Sequence, residues 1–377
     1  MPALSLLIKP ASGACNLRCQ YCFYHDEQQN RETFSYGFMS EETLELLIKK
    51  ALEYASGSCT FGFQGGEPTL RGLDFYRRAV ELQKKYNRRR IPIANAIQTN
   101  GLLLDDAWAQ FLHDNHFLVG LSLDGGKDVH DSCRTDPEGK GTFNRVLQAA
   151  QKLTAHQVDF NLLTVVTNRT ADNIGKIYGF YRRSGLLYQQ YIPCLDPLGA
   201  RRGLSPWSLT PEKYAQFLKT LFDLWYRDVA EGRFIYIRYF ENLLGMLLGR
   251  LPENCGLSGQ CAIQNAVEAD GSVYPCDFYC LDQWRLGNIR DTGFEELARC
   301  ETARRFLAEG VLGRSSCQSC PYAFLCRGGC RRDREPLDGP GNYFCQAYRE
   351  FFPYALPGLR RTARALRLSM AEEGGRL

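Results

Sequence analysis

The sequence predicts an α/β protein, a partial (β/α)6 barrel followed by a C-terminal cysteine-rich extension. Strand-like and helix-like segments alternate through the first two thirds of the chain, which favours parallel strands joined by crossover helices. The chain has 377 residues, which suits a barrel-sized domain with an appendage better than one small domain. A flat, doubly wound sheet is the alternative arrangement of the same elements.

The elements follow in order from apolar strands and amphipathic helices. The first unit joins a strand at Leu4–Ile8 to a helix at Glu41–Tyr54. In that helix Leu44, Leu47 and Leu52 recur at helical spacing. Further strands are predicted at 59–64, 91–99, 118–123, 160–167 and 187–194. Further helices are predicted at 73–85, 105–115, 143–156, 171–183, 211–231 and 240–248. Beyond them, residues 266–275 alternate apolar and polar around an Asp-Gly pair, which predicts a β-hairpin.

Composition excludes several classes of protein. The formal net charge is +4, and no basic stripe interleaved with aromatic residues is present, so no nucleic-acid partner is expected. No apolar stretch reaches membrane-spanning length, and the first apolar run lacks a preceding basic segment. We therefore expect a cytoplasmic protein with no membrane partner. The 16 cysteines should mostly be metal ligands, because a reducing cytosol disfavours disulfides.

The first cysteine group is Cys15-Asn-Leu-Arg-Cys19-Gln-Tyr-Cys22, with the spacing C-x3-C-x2-C. Three thiolates in so short a loop can hold one corner of an iron–sulfur cube and leave the fourth iron open to a small molecule. Half of a zinc site has the same spacing and is the alternative.

Polar residues follow the predicted second, third and fourth strands, at the barrel end where loops form sites. Gly65 and Gly66 allow the backbone to approach a ligand, and Glu67 supplies a carboxylate for an ammonium group. Two short polar loops come next, Gln98-Thr99-Asn100-Gly101 and Ser122-Leu123-Asp124-Gly125. Arg134 then places a guanidinium that could clamp a carboxylate. Each turn alone is ordinary, and their common location is the stronger signal.

The last third of the chain carries a second set of cysteines. Cys255, Cys261, Cys276 and Cys280 come first, and the spacing C-x2-C-x5-C-x3-C then runs from Cys317 through Cys320 and Cys326 to Cys330, with Cys345 further on. This density predicts metal binding. A pair of zinc ribbons would fit the same spacing.

The cysteine loop, the Gly-Gly-Glu-Pro turn and the polar strand ends together resemble the radical SAM superfamily over about the first 200 residues. The resemblance implies that Cys15, Cys19 and Cys22 hold a 4Fe-4S cluster. Its open iron would bind S-adenosylmethionine (AdoMet). The AdoMet contacts that it implies are Tyr21, Gly65, Gly66, Glu67, Gln98, Asn100, Ser122, Arg134 and Leu195.

Within that set, Gly65, Gly66 and Glu67 would secure the ammonium group of AdoMet. Ser122 and Arg134 would meet its carboxylate and ribose region, and Tyr21 and Leu195 would flank the adenine.

The C-terminal region resembles the SPASM extension, in which cysteines alone hold two auxiliary 4Fe-4S clusters. The resemblance assigns the nearer cluster to Cys255, Cys261, Cys276 and Cys330. It assigns the farther cluster to Cys317, Cys320, Cys326 and Cys345. Spacing alone would instead place Cys330 with the second group. The remaining cysteines, Cys280 among them, are expected to be small buried hydrophobic residues. The predicted domains are 1–235 for the barrel, 236–347 for the auxiliary-cluster domain and 348–377 for a C-terminal helix.

Further motifs resemble the anaerobic sulfatase-maturating enzymes nearly end to end, especially Tyr-Pro-Cys-Asp-Phe-Tyr at 274–279 and Trp-Arg-Leu-Gly-Asn-Ile at 284–289. Such enzymes oxidise a cysteine or serine of a sulfatase precursor to formylglycine without molecular oxygen. A 5′-deoxyadenosyl radical would remove a Cβ hydrogen. Asp277 would act as the base and an auxiliary cluster would accept the remaining electron. Tyr24 and Gln64 would hold the peptide backbone. For Asp277 alone, a turn cap is the simpler reading.

This resemblance also implies partners and leaves alternatives. The substrate would be an unfolded sulfatase precursor or its signature peptide, the reductant a flavodoxin or ferredoxin, and the enzyme a monomer. One alternative is a SPASM-type radical SAM enzyme that forms a thioether or other crosslink in a peptide. Another is a zinc-binding scaffold without catalytic activity.

Overall fold

The computed structural model describes residues 2–337, 339 and 341–374. The central feature is one ten-stranded sheet with the order β10-β9-β8-β1-β2-β3-β4-β5-β6-β7. The strands are β1 Leu4–Ile8, β2 Cys59–Phe63, β3 Ile93–Thr99, β4 Phe117–Ser122, β5 Phe160–Val166, β6 Tyr188–Pro193, β7 Tyr236–Ile237, β8 Ala266–Val267, β9 Ser272–Tyr274 and β10 Gly287–Asn288. Strands β1 to β7 pair in parallel. The predicted partial barrel is therefore confirmed.

Helices connect these strands, as the alternating pattern predicts. They are α1 Phe23–Gln29, α2 Glu41–Tyr54, α3 Leu73–Tyr86, α4 Asp106–Asp114, α5 Lys127–His130, α6 Phe143–Ala155, α7 Asn168–Asp172, α8 Ile174–Arg183, α9 Pro211–Ala230, α10 Arg238–Leu247, α11 Phe294–Arg299, α12 Glu301–Glu309, α13 Ala323–Cys326 and α14 Cys345–Gly374. Side-chain caps at the predicted starts explain why the limits agree. Ser40 accepts from the Thr43 amide before α2, and Asp105 accepts from the Trp108 amide before α4.

The prediction of one helix over 171–183 is wrong in detail. The segment divides into α7 and α8 at Asn173, whose backbone leaves the helical region. The Asn173 side chain donates to the Arg169 carbonyl at 2.9 Å, and this bond closes the last turn of α7. Asparagine forms such local bonds readily, which is why it favours helix ends over helix interiors.

The cysteine-rich extension continues the barrel sheet. The predicted hairpin is confirmed as β8 and β9, which pair in antiparallel fashion. Gly271 takes the left-handed conformation in the turn (φ +88°), and the Asp270 side chain accepts from Ser272. Strand β8 also pairs in parallel with β1. This junction fixes the extension against the first barrel strand.

The C-terminal helix α14 packs along α9. The Phe222 and Phe351 rings lie 6.1 Å apart in an edge-on contact. A Cβ atom at Gly358 would approach the Phe222 ring to 2.8 Å, so glycine permits the close crossing of the two helices. The domain limits at 235/236 and 347/348 stay predictions, and residues 375–377 of the last one lie outside the described residues. Among the described residues, no helix is both long and apolar enough to cross a bilayer.

Candidate active site and cluster cavities

One cavity of about 440 Å³ opens at the carboxyl ends of the barrel strands. It is lined by Cys15, Cys19 and Cys22 on one side and by Asp277 on another. Every residue predicted to contact AdoMet or substrate lines it as well: Tyr21, Tyr24, Gln64, Gly65, Gly66, Glu67, Gln98, Asn100, Ser122, Arg134 and Leu195. Residues far apart in sequence meet here because parallel strands place their following loops at one end.

The three N-terminal thiols are partly buried in the loop between β1 and α1. Burial raises the pKa of Cys15 and of Cys19 to about 12, so these thiols need a nearby positive charge, such as a metal, to become thiolates. Arg134 Nη1 lies 3.8 Å from Cys19 Sγ and favours the same ionisation. The donor set is three thiols around one opening, which fits a cluster with one open iron.

Gly65 and Gly66 have positive φ angles of 86° and 52°. A Cβ atom at Gly66 would lie 2.3 Å from the Ala14 carbonyl oxygen, and one at Gly65 would lie 2.6 Å from Lys9 Cγ. Both glycines therefore let this turn pack directly against the cysteine loop and the end of β1. Close packing of protein on protein accounts for them at least as well as approach to a ligand.

The sequence predicts that the Glu67 carboxylate pairs with an ammonium group. In the structure both of its oxygens accept hydrogen bonds from neighbouring residues. Its Oε1 accepts from the Thr69 amide and from the Thr69 and Thr99 hydroxyls at 3.0, 2.6 and 2.7 Å. Its Oε2 accepts from the Asn100 amide at 2.8 Å. The side chain is 1% exposed. Glu67 thus ties its own turn to the end of β3, and its contact with AdoMet stays a prediction.

Arg134 is held by Asp124, a residue that sequence reasoning quoted but did not assign. Asp124 Oδ2 accepts from Arg134 Nε at 2.8 Å and also from the Tyr21 hydroxyl. Its Oδ1 accepts from the Val165 amide at 2.9 Å. The Arg134 guanidinium lies 5.4 Å from the Tyr21 ring centre. Since Asp124 pairs with Nε, the Arg134 Nη1 atom is left to approach the cysteine loop, 3.8 Å from Cys19 Sγ.

Amide side chains line the same wall of the cavity. Gln98 Nε2 donates to Ser122 Oγ at 3.1 Å, and Asn100 Nδ2 donates to Asn16 Oδ1 at 2.7 Å. A Cβ atom at Gly120 would come within 2.0 Å of Gln98 Oε1, so glycine at this position of β4 leaves room for the Gln98 side chain. These contacts fix the amides before any ligand arrives.

Asp277 begins a 3-10 turn directly after Cys276 and faces the cavity. Its Oδ2 accepts from the Tyr24 hydroxyl at 2.8 Å. Burial raises the pKa of Asp277, although Lys9, Tyr24 and Gln64 each favour its ionised form. Among the described residues, Oδ1 has no partner that satisfies hydrogen-bond geometry. One oxygen of this buried side chain therefore has no hydrogen-bond partner among the described residues.

A buried ionic network behind Asp277 was missed by sequence reasoning. Lys9 Nζ lies 3.4 Å from Glu27 Oε2 and 3.1 Å from Glu268 Oε1, and Arg31 Nη1 lies 2.7 Å from the same Glu268 oxygen. Burial raises the pKa of Glu27 to about 8, against the opposing effect of Lys9. The available signal was Lys9 itself, a charged residue directly after an apolar strand.

Two further cavities lie in the extension. One is lined by Cys317, Cys320, Cys326 and Cys345. The other is lined by Cys255, Cys261, Cys276 and Cys330. These thiols surround cavities. Within the described part of the chain, no three or more His, Cys, Asp or Glu side chains lie close enough together to hold a single metal ion. Four thiols around one cavity fit the donor set of a 4Fe-4S cluster. Cys280 is fully buried and lines neither cavity; its thiol donates to the Cys276 carbonyl at 3.8 Å, and its amide donates to Glu27.

A three-cysteine loop at the mouth of a parallel partial barrel, joined to a cysteine-rich extension, defines a radical SAM enzyme with auxiliary iron–sulfur clusters. Comparison with known families agrees: the radical SAM superfamily matches residues 10–181, and an iron–sulfur cluster-binding domain, SPASM, matches residues 259–321. The cofactors of this chain are therefore AdoMet and iron–sulfur clusters.

Relatives define the family more closely. A cysteine-type anaerobic sulfatase-maturating enzyme of Clostridium perfringens (strain 13 / Type A) is 49% identical, over 96% of this chain and 99% of that protein. A serine-type enzyme of Bacteroides thetaiotaomicron is 33% identical, over 94% and 90%. The solved structure of native anSMEcpe with bound AdoMet and Cp18Cys peptide matches with a TM-score of 0.92 at 47% identity, covering 97% of this chain and all of that one. The chain belongs to the anaerobic sulfatase-maturating enzymes.

Proposed function

We propose that this enzyme oxidises a cysteine of a sulfatase precursor, presented as an unfolded signature peptide, to formylglycine without molecular oxygen. The proposal depends on the position of Asp277, which lines one cavity together with the three N-terminal cysteines. Asp277 also directly follows Cys276 in the sequence, and Cys276 lines the neighbouring four-cysteine cavity. Cysteine rather than serine is supported by relatives, since a cysteine-type enzyme is 49% identical and a serine-type enzyme 33%.

The proposed ligands and contacts follow the cavities. Cys15, Cys19 and Cys22 would hold the AdoMet-binding cluster, and the two four-cysteine sets would hold the auxiliary clusters. When bound, these groups supply the one-electron chemistry that removes a hydrogen atom and an electron from the substrate. Tyr24 and Gln64 would hold the peptide so that its thiol meets Asp277.

The protein's own part is proton removal. Asp277 would accept the thiol proton through Oδ1, while the Tyr24 hydroxyl holds Oδ2. Loss of one hydrogen atom, one proton and one electron converts the methylene thiol group to a thioaldehyde, which water hydrolyses to the aldehyde with release of hydrogen sulfide. The partly desolvated carboxylate is suited to this role, because burial makes it a stronger base than an exposed Asp.

The variant Asp277→Asn tests this role. We expect it to cleave AdoMet while aldehyde formation falls by about 100-fold or more, because only proton removal is lost. Asp282→Asn is the matched control, since Asp282 lies in the same extension but bonds to the Glu32 amide outside the cavity. Undiminished aldehyde formation by Asp277→Asn would remove Asp277 from the mechanism.

Substrate type is tested with peptides that differ only in the target residue. The anaerobic enzyme with reductant should convert the cysteine peptide, read by mass spectrometry as loss of two hydrogens with sulfur exchanged for oxygen. The serine peptide should react more slowly. A preference for serine would refute the cysteine assignment but not the reaction class.

The cellular setting is part of the proposal. A flavodoxin or ferredoxin would supply electrons, and the enzyme would act in the cytoplasm as a monomer. The 16 cysteines support a reducing compartment.

A further inference from the structure

Two buried arginines line the cavity formed by Cys255, Cys261, Cys276 and Cys330. Both come soon after Cys330 in the sequence: Arg331 begins the 3-10 turn Arg331–Asp333, and Arg334 directly follows that turn. Arg331 is 3% exposed and Arg334 is 2% exposed. Two cations are thus enclosed beside one set of thiols.

Arg331 is matched by negative charge. Its Nη2 lies 2.6 Å from Glu309 Oε2, and its Nε lies 3.8 Å from Glu335 Oε1. Its guanidinium carbon also lies between 4.6 and 4.9 Å from the ring centres of three aromatic residues, Tyr279, Trp284 and Phe306. These contacts account for its burial without a ligand.

Arg334 is different. Within the described residues no carboxylate lies within ion-pair distance of it. Its guanidinium donates to backbone carbonyls only, at 2.7 Å to Gly310 and 3.4 Å to Cys330, with a further bond to Leu312. Carbonyl dipoles satisfy its donors but do not cancel its charge. A buried cation without a counter-ion is costly, so a negative group should face it.

The cavity offers that negative group. A 4Fe-4S cluster held by four thiolates carries net negative charge, and the charge grows by one when the cluster takes up an electron. A fixed buried cation beside it favours the reduced state, since low-dielectric surroundings leave their attraction poorly screened. Among the described residues, the other four-cysteine cavity is lined by one arginine, Arg349, which is exposed on α14.

We propose that Arg334 is a positioning residue for electron transfer: its buried charge, which forms no ion pair with any carboxylate of the described residues, would raise the reduction potential of the nearer auxiliary cluster, so that this cluster would take the electron released by the substrate. The inference rests on the proposed ligand set and deepens the proposed function. A cluster held by Cys255, Cys261, Cys276 and Cys330 would accept the one electron that the substrate loses, while Asp277 would accept the thiol proton.

The test is an anaerobic redox titration followed by electron paramagnetic resonance. The background chain carries Cys15→Ala, Cys19→Ala and Cys22→Ala, so that only the auxiliary clusters are titrated. Arg334→Gln and Arg334→Met remove the charge, and methionine also leaves no unpaired donor. Arg334→Lys keeps the charge. Arg77→Gln, on the exposed face of α3, is the control for net charge.

We expect both uncharged variants to lower the midpoint potential of one auxiliary cluster, with at least a tenfold change in its reduction constant, which is about 59 mV for one electron. The second cluster should not shift. Arg334→Lys should recover most of the lost potential, and Arg77→Gln should match the parent chain.

Three results would overturn the inference. They are an unchanged potential in the uncharged variants, an equal shift in both clusters, and loss of iron from both uncharged variants while Arg334→Lys stays loaded. The last result would mean that the charge holds the cluster rather than tunes it. If the parent chain itself binds no auxiliary cluster, the proposed function fails instead, so the two failures are distinguishable.

Discussion

At the scale of single residues, a variant of Cys19 distinguishes the proposed AdoMet-binding cluster from the two auxiliary clusters. We expect Cys19→Ala to abolish 5′-deoxyadenosine formation, because the AdoMet-binding cluster loses one of three ligands. The iron content should fall from about twelve to about eight atoms, since the auxiliary cavities keep their ligands. Cys59→Ala is the control, because Cys59 is fully buried on β2 and lines none of the three cavities. Normal AdoMet cleavage by Cys19→Ala would contradict the ligand assignment.

His130 is a second informative residue. It is fully buried, its Nδ1 accepts from the Asp124 amide at 3.2 Å, and its Nε2 meets the Thr142 hydroxyl at 3.1 Å. Burial lowers the pKa of His130 to about 4. As pH falls, the unfolded chain therefore takes up this proton first, near the ordinary histidine pKa of about 6.5.

A pH series on His130→Gln tests this linkage. The stability advantage of the parent chain over the variant should be full above about pH 6.5 and should shrink by about 2–3 kcal/mol toward pH 4.5. Anaerobic denaturant unfolding of both chains at each pH measures it. A difference that stays constant with pH would mean that His130 titrates alike in both states.

At the scale of elements, Glu67 joins the turn after β2 to the end of β3. In Glu67→Gln an amide donor replaces one acceptor, so a donor of Thr69, Thr99 or Asn100 loses its partner. Losing one buried hydrogen bond to a charged group costs about 1.5–3 kcal/mol. We expect AdoMet affinity, measured by equilibrium binding, to fall by at least tenfold. The exposed Glu81→Gln on α3 should bind normally, and unaltered affinity in Glu67→Gln would show that the turn does not position AdoMet.

At the scale of the whole molecule, Glu268 ties the extension to the barrel. It begins the turn after β8 and pairs with Lys9, after β1, and with Arg31. Removing it leaves buried cations without their main partner, so Glu268→Ala should destabilise the protein by about 3–5 kcal/mol. Anaerobic unfolding measures the change, with the exposed Glu295→Ala as control. A loss below about 1 kcal/mol would mean that the ion pairs of Glu268 contribute little to joining the two parts.

The sequence determined most of the local structure and the chemistry. Apolar periodicity predicted six parallel strands and their helices, because side-chain spacing of two or of 3.6 residues is a local property. Cysteine spacing predicted metal binding, and the family resemblance implied the clusters and AdoMet. The common loop end of a barrel predicted that polar residues such as Gln98 and Ser122 lie at one end of the sheet. The division at Asn173 was missed, because a single asparagine bond outweighed an otherwise continuous helical pattern.

Only the tertiary structure decided how distant charges meet. The parallel pairing of β8 with β1 brings Glu268 to Lys9, and no local pattern encodes a pairing of strands so far apart in sequence. The same holds for the hydrogen bonds that Glu67 accepts from Thr69, Thr99 and Asn100, which no local pattern predicted. It holds for Arg334 too, because the lack of a carboxylate partner among the described residues is a property of the folded surroundings. Local residue spacing specifies which chemistry is possible. Burial and long-range packing decide which charged side chains are paired within the protein and which can act on a ligand.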